Sequence, residues 1–180
     1  MGQYYKAYLK KDNEEIVLEP GGGMKLTEHS WIGNPLTDTV SHLLYKNKMQ
    51  LAWVGDYAKD LADEAKRIPD EIYKKCWGKN AKESRMKNNI FEDFDYKGKF
   101  LINDTKKEYL SLDPKDCAED SDGWYLYPVS LLTAVGNGLG GGDYRGINKD
   151  KVGIWKLDQL YIDDNAPKDY KKVEILFTEE

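Results

Sequence analysis

The sequence predicts an α+β fold: a largely antiparallel sheet with a few helices, mainly in the first half of the chain. Short runs of period two outnumber runs with helical spacing. Two hairpin signatures, each a pair of such runs around a polar turn, stand in opposite halves. The clear helical stripes fall before residue 80.

Residues 3–10 read as a strand, with Tyr5, Ala7 and Leu9 on one face and Tyr4, Lys6 and Tyr8 on the other. Lys11-Asp12-Asn13-Glu14 is turn chemistry, and residues 15–19 form the return strand. Pro20-Gly21-Gly22-Gly23 then breaks structure. Residues 24–31 suggest a short strand running into a loop. Asn34-Pro35 reads as an N-cap followed by the first helical position. Leu36, Val40, Leu43 and Leu44 form one apolar stripe of a helix ending near Asn47. Residues 50–54 read as a buried strand closed by Gly55-Asp56-Tyr57.

Residues 60–67 and 69–77 read as two short helices separated at Ile68-Pro69, with Gly78 as a C-terminal cap. Residues 79–93 are polar and lysine-rich, a solvated segment. The second hairpin spans 99–103 and 108–112, and an acidic loop follows over 113–123. Residues 124–127 suggest a strand leading into Pro128, and 129–135 fit either strand or helix. Residues 152–161 and 173–177 complete the expected strands.

At 180 residues the chain suggests one domain, large enough to bury a core without disulfides or a structural metal. With 27 Lys+Arg against 32 Asp+Glu, the net charge of −5 argues against a nucleic-acid binder working through a basic face. Five Trp and thirteen Tyr exclude most disordered compositions. No apolar run approaches the roughly 18 residues of a membrane span, and the N-terminus lacks the apolar core of a signal peptide. Met1-Gly2 opens an N-myristoylation pattern, but Lys6 stands where that pattern requires Ser or Thr. Cys76 and Cys117 share no CxxC spacing, and two His do not complete a zinc set. We therefore expect reduced thiols, a cytoplasmic setting, no metal and no cofactor. Only Arg67, Arg85 and Arg145 are arginine, so each stands out.

The halves echo each other, which suggests pseudo-repeats over 1–60 and 97–165. Each hairpin ends in an acidic-Pro pair, Glu19-Pro20 and Asp113-Pro114. Ser30-Trp31-Ile32-Gly33-Asn34 faces Thr133-Ala134-Val135-Gly136-Asn137, and the stretch around Trp53 faces that around Trp155. Strands of equal period also resemble one another without common origin.

The most distinctive stretch is 136–146, where six of eleven residues are glycine. Such a loop can present backbone N–H groups as an anion nest, or let another surface approach its backbone closely. Asn137, Asp143 and Arg145 would add a carboxamide, a carboxylate and a fork of donors suited to phosphate or carboxylate. Gly136, Gly138 and Gly141 match the dinucleotide spacing G-x-G-x-x-G, but Gly142, Asp143 and Gly146 oppose the helix that must follow. No Gly-Lys-Ser/Thr follows, and Gly-x-Ser-x-Gly is absent. A second cluster, Glu28-His29-Ser30-Trp31-Ile32-Gly33-Asn34, offers an acid–base pair if Glu28 and His29 converge with Asp56. His42 sits at the edge of the polar face of its helix.

Four stretches carry a resemblance: Met1-Gly2-Gln3-Tyr4-Tyr5-Lys6, residues 24–34, Ala52-Trp53-Val54-Gly55-Asp56-Tyr57-Ala58, and residues 132–146. In these the chain resembles a family of small, uncharacterised bacterial and phage-encoded proteins. The resemblance covers most of the chain in order, apart from the segment after Lys79. It implies an intracellular bacterial setting and transfers no activity. Leu139 stands where a basic residue is expected in relatives, which removes one contact to an anion.

Three functions compete. A non-catalytic binding or interaction module would gather Trp31, Asn34, Trp53, Asn137, Gly140, Gly141, Asp143 and Arg145, with Asp56, around a small polar ligand or a protein partner. A hydrolase or transferase acting on a nucleotide-like or acylated substrate would use His29 or Glu28 as base and Asp56 as partner, with the loop amides stabilising charge. A phage or mobile-element protein would act by contact with a host protein. The binding module is favoured.

Overall fold

Alternation in the first strand sets the architecture. The computed structural model describes residues 1–19, 24–79, 84–85, 92–119 and 122–178. Its elements run β1 (Tyr5–Lys11), β2 (Glu14–Glu19), α1 (Pro35–Leu44), β3 (Met49–Gly55), α2 (Asp70–Trp77), β4 (Ser84–Arg85), β5 (Phe100–Asn103), β6 (Glu108–Ser111), α3 (Pro128–Thr133), β7 (Ala134–Val135), β8 (Gln159–Asp163) and β9 (Lys171–Lys172). The fold is α+β. One mixed, mostly antiparallel sheet runs β4-β2-β1-β3-β8-β5-β6-β9, with β7 on β3. The parallel pairs are the short ones: β4 on β2, β7 on β3 and β9 on β6.

β1 is interior, with Ala7 opposite Leu18 of β2 on one side and Trp53 of β3 on the other. Its two faces therefore feed two cores. Tyr5, Ala7 and Leu9 pack with Leu36 and Val40 of α1 and Val129 and Leu132 of α3. Tyr8 points the other way, with Val17, Ala52, Val54 and Cys76 of α2. The sequence alternation is correct, but α2 covers the face that a solvent-facing strand would leave wet. Lys6 is buried as a result. Its Nζ lies 3.2 Å from Glu19 and 4.3 Å from the Trp77 ring centroid. Charge pairing and the ring quadrupole thus offset its desolvation.

A pairing pattern recurs. In each half a hairpin (β1-β2, β5-β6) is followed by a helix and then by a strand that pairs with the hairpin's first strand. The two returning strands, β3 and β8, meet antiparallel at Met49↔Leu160. The glycine–asparagine steps do not occupy matching places in this order. Gly33-Asn34 precedes α1, whereas Gly136-Asn137 follows α3. Trp53 lies within β3, but Trp155 precedes β8.

The Asn34 cap forms as expected: its side-chain oxygen accepts from Leu36 N at 2.9 Å, with Pro35 at the first helical position. Asn34→Ala removes this bond and is expected to lower stability by about 1 kcal/mol, read from the urea midpoint. The helix stops at Leu44, short of Asn47. Elsewhere local geometry departs from the sequence reading. Residues 60–67 form no α-helix: one 3₁₀ turn, Ala58–Asp60, runs into them, and a second, Glu64–Lys66, buries none of its residues. Gly78 is the C-terminal cap of α2 as expected, in an extended conformation with its N–H bonding Lys74 O at 2.8 Å. Residues 129–135 are both alternatives in succession, α3 then β7. Residues 152–157 are turns; only Gln159–Asp163 forms a strand. The pairing expected over 173–177 sits at Lys171–Lys172 instead. The Pro20–Gly23 break and most of segment 79–93 lie outside the described residues.

No helix among the described residues is long and apolar enough to cross a membrane. Both cysteines are free. Burial pushes the Cys76 and Cys117 thiols up to about 12, so neither is a nucleophile at neutral pH.

Candidate functional site

Four separated stretches meet at one end of the sheet. Tyr5 N donates to Met24 O at 2.8 Å, and Asp56 N donates to Tyr4 O at 2.9 Å. Gly141 N donates to Met1 O at 3.1 Å, in a bridge that pairs Gly2 with Gly141. Thr27 N and Oγ1 both donate to Gly142 O, at 2.8 and 2.9 Å. The N-terminal segment, the turn after Met24, the end of β3 and the glycine loop are thereby fastened together.

The glycines permit this close packing. A Cβ on Gly136 would stand 2.4 Å from the Tyr5 hydroxyl, and one on Gly140 would stand 2.5 Å from the backbone nitrogen of Gln3. Any side chain at these two positions would displace Gln3 or Tyr5.

Four of the loop amides are bonded inside the protein. Leu139 N donates to Asn137 Oδ1 at 2.9 Å, and Gly140 N donates to Asp143 Oδ2 at 2.9 Å. Asp143 N donates to Gly140 O at 3.1 Å. With Gly141 N on Met1 O, these donors are not free to form an anion nest.

Beneath the loop lies a polar cluster. The Tyr5 hydroxyl is 2.6 Å from Asp143 Oδ1 and 3.0 Å from Gln3 Oε1. The hydroxyl has one proton, and the carboxylate is the stronger acceptor. The fully buried Gln3 Nε2 otherwise has no partner. Turning the Gln3 amide so that its NH2 faces the phenol oxygen satisfies both groups at once. Burial holds the Asp143 carboxyl above the usual carboxylate range; Tyr5, the Gly140 amide and Arg145 pull it back. Asp56 is likewise raised by burial, and Tyr4 N, donating to Oδ1 at 3.2 Å, pulls it back. Burial, followed by Asp143, drives the Tyr5 hydroxyl far up.

This cluster borders a cleft of about 880 Å³, lined by the loop, residues 61–66 and residues 149–156. Leu26, Leu61, Val135 and Tyr144, all buried, give it an apolar floor. Its charged lining is Lys66, Arg145, Lys149, Lys156, Asp63, Asp143 and Asp150. The size and the apolar floor with polar rim match small-molecule sites. A smaller cavity of about 450 Å³ lies between β6 and the chain after β9, lined in part by Cys117, Leu126 and Phe177.

Asn137, Asp143 and Arg145 line the cleft, and Asp56 interacts electrostatically with Asp143 behind it. Gly140 and Gly141 lie behind the wall, held on Gln3 and Met1. Trp53 is fully buried, its ring 6.4 Å from that of Tyr127, so it serves the core and not a ligand. Asn34 is committed as the α1 cap. Glu28 pairs with Lys25 at 2.7 Å, and Lys25 N donates to His29 Nδ1 at 3.2 Å. Trp31 stacks between His29 and Trp124, at 6.1 and 5.1 Å. Glu28, His29 and Trp31 do not line the cleft. His42 is bonded to Glu92 O at 2.8 Å, on a different surface.

Lys66, Lys149 and Lys156 carry no signal in the sequence, and Gln3 and Tyr5 appear there only within the Met1–Lys6 stretch. Tyr5 reads as an ordinary core residue of a strand, and the three lysines are single members of a lysine-rich chain.

Among the described residues no group of three or more His, Cys, Asp or Glu is placed to hold a metal ion. Comparison of the chain with family models, with curated proteins and with solved structures finds no match.

Proposed function

We propose that the protein is a non-catalytic, cytoplasmic binding module that takes a small polar ligand in the cleft beside the glycine loop. One observation carries this reading. The cleft combines an apolar floor with a charged rim, while the best acid–base candidates, Glu28 and His29, are paired with Lys25 outside it. A hydrolase or transferase needs a base within hydrogen-bond reach of the bound substrate. Asp143 and Tyr5, the polar groups at the cleft's inner end, already hydrogen-bond each other. The two free thiols fit a reducing compartment. The four stretches that carry the family resemblance are those fastened around Gln3, which supports a shared architecture at this end of the sheet.

The test is thermal-shift screening against nucleotides, sugars and small phosphates, repeated on Ala62→Trp. Ala62 is exposed and lines the cleft, so the indole fills it without touching the core. A ligand present at a hundredfold over its Kd adds about 2.7 kcal/mol, a shift of several degrees. The expected result is a stabilising hit that Ala62→Trp abolishes. A hit unchanged in Ala62→Trp, or no hit at millimolar concentrations, contradicts the reading.

A further inference from the structure

Resting on that reading of the cleft, we infer that its ligand is a small molecule with a multiply charged oxyanion group, a phosphate ester or polycarboxylate, held by Lys66, Arg145, Lys149 and Lys156.

The chain carries net −5, and many of its lysines are paired: Lys6 with Glu19, Lys25 with Glu28, Lys99 with Asp164. In the cleft four cations face three carboxylates, and each carboxylate already has a partner within the protein, a neutral one for Asp63 and Asp143. Asp63 accepts from Ala65 N at 3.0 Å, capping its 3₁₀ turn. Asp143 accepts from Tyr5 and from Gly140 N. Asp150 pairs with Lys151 at 3.1 Å, a cation that does not line the cleft.

The cations keep spare capacity. Lys66 and Lys149 make no ion pair or side-chain hydrogen bond among the described residues. Lys156 Nζ donates to Ala65 O at 3.1 Å, a neutral partner that leaves its charge uncompensated and other N–H groups available. Arg145 uses one nitrogen, Nη2, on Leu139 O at 3.1 Å and Gly140 O at 3.4 Å. This anchors the guanidinium to the loop and leaves other N–H groups for a ligand. A low-dielectric floor beneath such a rim concentrates the field on an entering anion.

The geometry also separates a small anion from a large one. The protein as a whole is acidic, so an extended polyanion would meet repulsion beyond the walls of the cleft. The buried floor of Leu26, Leu61 and Val135, with Leu139 exposed at 77 % on the lip, suits an apolar or planar body attached to the anion.

The test uses inorganic pyrophosphate and citrate as probes, titrated by calorimetry at low salt. At least one is expected to bind the wild-type protein and to be lost in Ala62→Trp. Lys66→Gln combined with Lys149→Gln is expected to weaken it about tenfold, as two lost charge contacts would. Leu139→Lys, adding a cation at the exposed lip, should tighten it. Binding of pyrophosphate alone assigns phosphate chemistry, and of citrate alone carboxylate chemistry. Failure of both probes, or binding indifferent to the double Gln variant, overturns the inference. If a neutral hit from the thermal-shift screen is still lost in Ala62→Trp, only the anion inference falls. If no ligand is lost in that variant, the cleft reading falls with it.

Discussion

Gly140→Ala is expected to destabilise the protein by about 3 kcal/mol, while Gly138→Ala, two residues away, loses about 1 kcal/mol. The two glycines have different reasons to be glycine. Gly138 has a φ of +70° and nothing within 4 Å of a built Cβ, so its penalty is backbone strain alone. Gly140 has no left-handed φ. Its Cβ would stand 2.5 Å from Gln3 N and 2.5 Å from Gln3 Cβ, and backbone cannot swing aside as a flexible side chain can. The methyl must push the N-terminal segment off the loop, losing the Gly141–Met1 bond and the register of Gly2 with Gly141. Urea unfolding reads the difference directly. Equal losses at the two positions would mean that the loop does not clasp the N-terminal segment.

Tyr5→Phe carries the second large effect, about 2 kcal/mol at neutral pH, because it leaves the largely buried Asp143 carboxylate without its 2.6 Å donor. The loss depends on pH. Burial already places the folded Asp143 pKa above its unfolded value, and the Tyr5 bond pulls it down. Removing the hydroxyl raises it further. A carboxyl with a raised folded pKa favours folding most at low pH, and that advantage disappears as pH rises through the folded value. The difference between variant and wild type therefore grows as pH rises from about 4 to 7. Asp104 and Asp164 behave oppositely. Tyr170 first, then Lys107 and Lys48, hold Asp104 down at about 2; Tyr45 first, then Lys99 and Lys46, do the same for Asp164. Their contributions fail only as pH falls from the ordinary carboxylate value toward about 2, below the window compared. Unfolding measured at pH 4, 5.5 and 7 is expected to give a widening gap; a constant one would mean that Tyr5 does not hold Asp143.

Much of the fold was legible because it rests on local signals. The Asn34-Pro35 start of α1 and both hairpins are set by caps, turns and alternation within a few residues. Residues 60–67 and 152–157 fold into turns rather than regular elements, their apolar side chains fixed by tertiary packing. Leu61 lines the cleft and Trp155 fills the core, yet neither belongs to a helix or strand. The glycine loop was recognised as unusual, and its two physical uses were both visible in the sequence. The close approach of Gln3 and Tyr5, more than 130 residues away in sequence, decides between them. The cleft's lysines were invisible for the same reason. Lys66, Lys149 and Lys156 come from segments whose meeting is set by β3 pairing with both β7 and β8. Trp53, a candidate ligand contact by sequence, lies on an interior strand and is a core residue.

The glycine loop is a fastened wall of the cleft, with the Leu139, Gly140, Gly141 and Asp143 amides bonded within the protein. Amide hydrogen exchange measured residue by residue by NMR tests this most directly. The account predicts that Gly140, Gly141 and Asp143 N–H groups are protected to a degree comparable with those of β1. Exchange at the rate of an open chain at these three positions would contradict it, and would return the loop to a mobile segment with its donors free for a ligand.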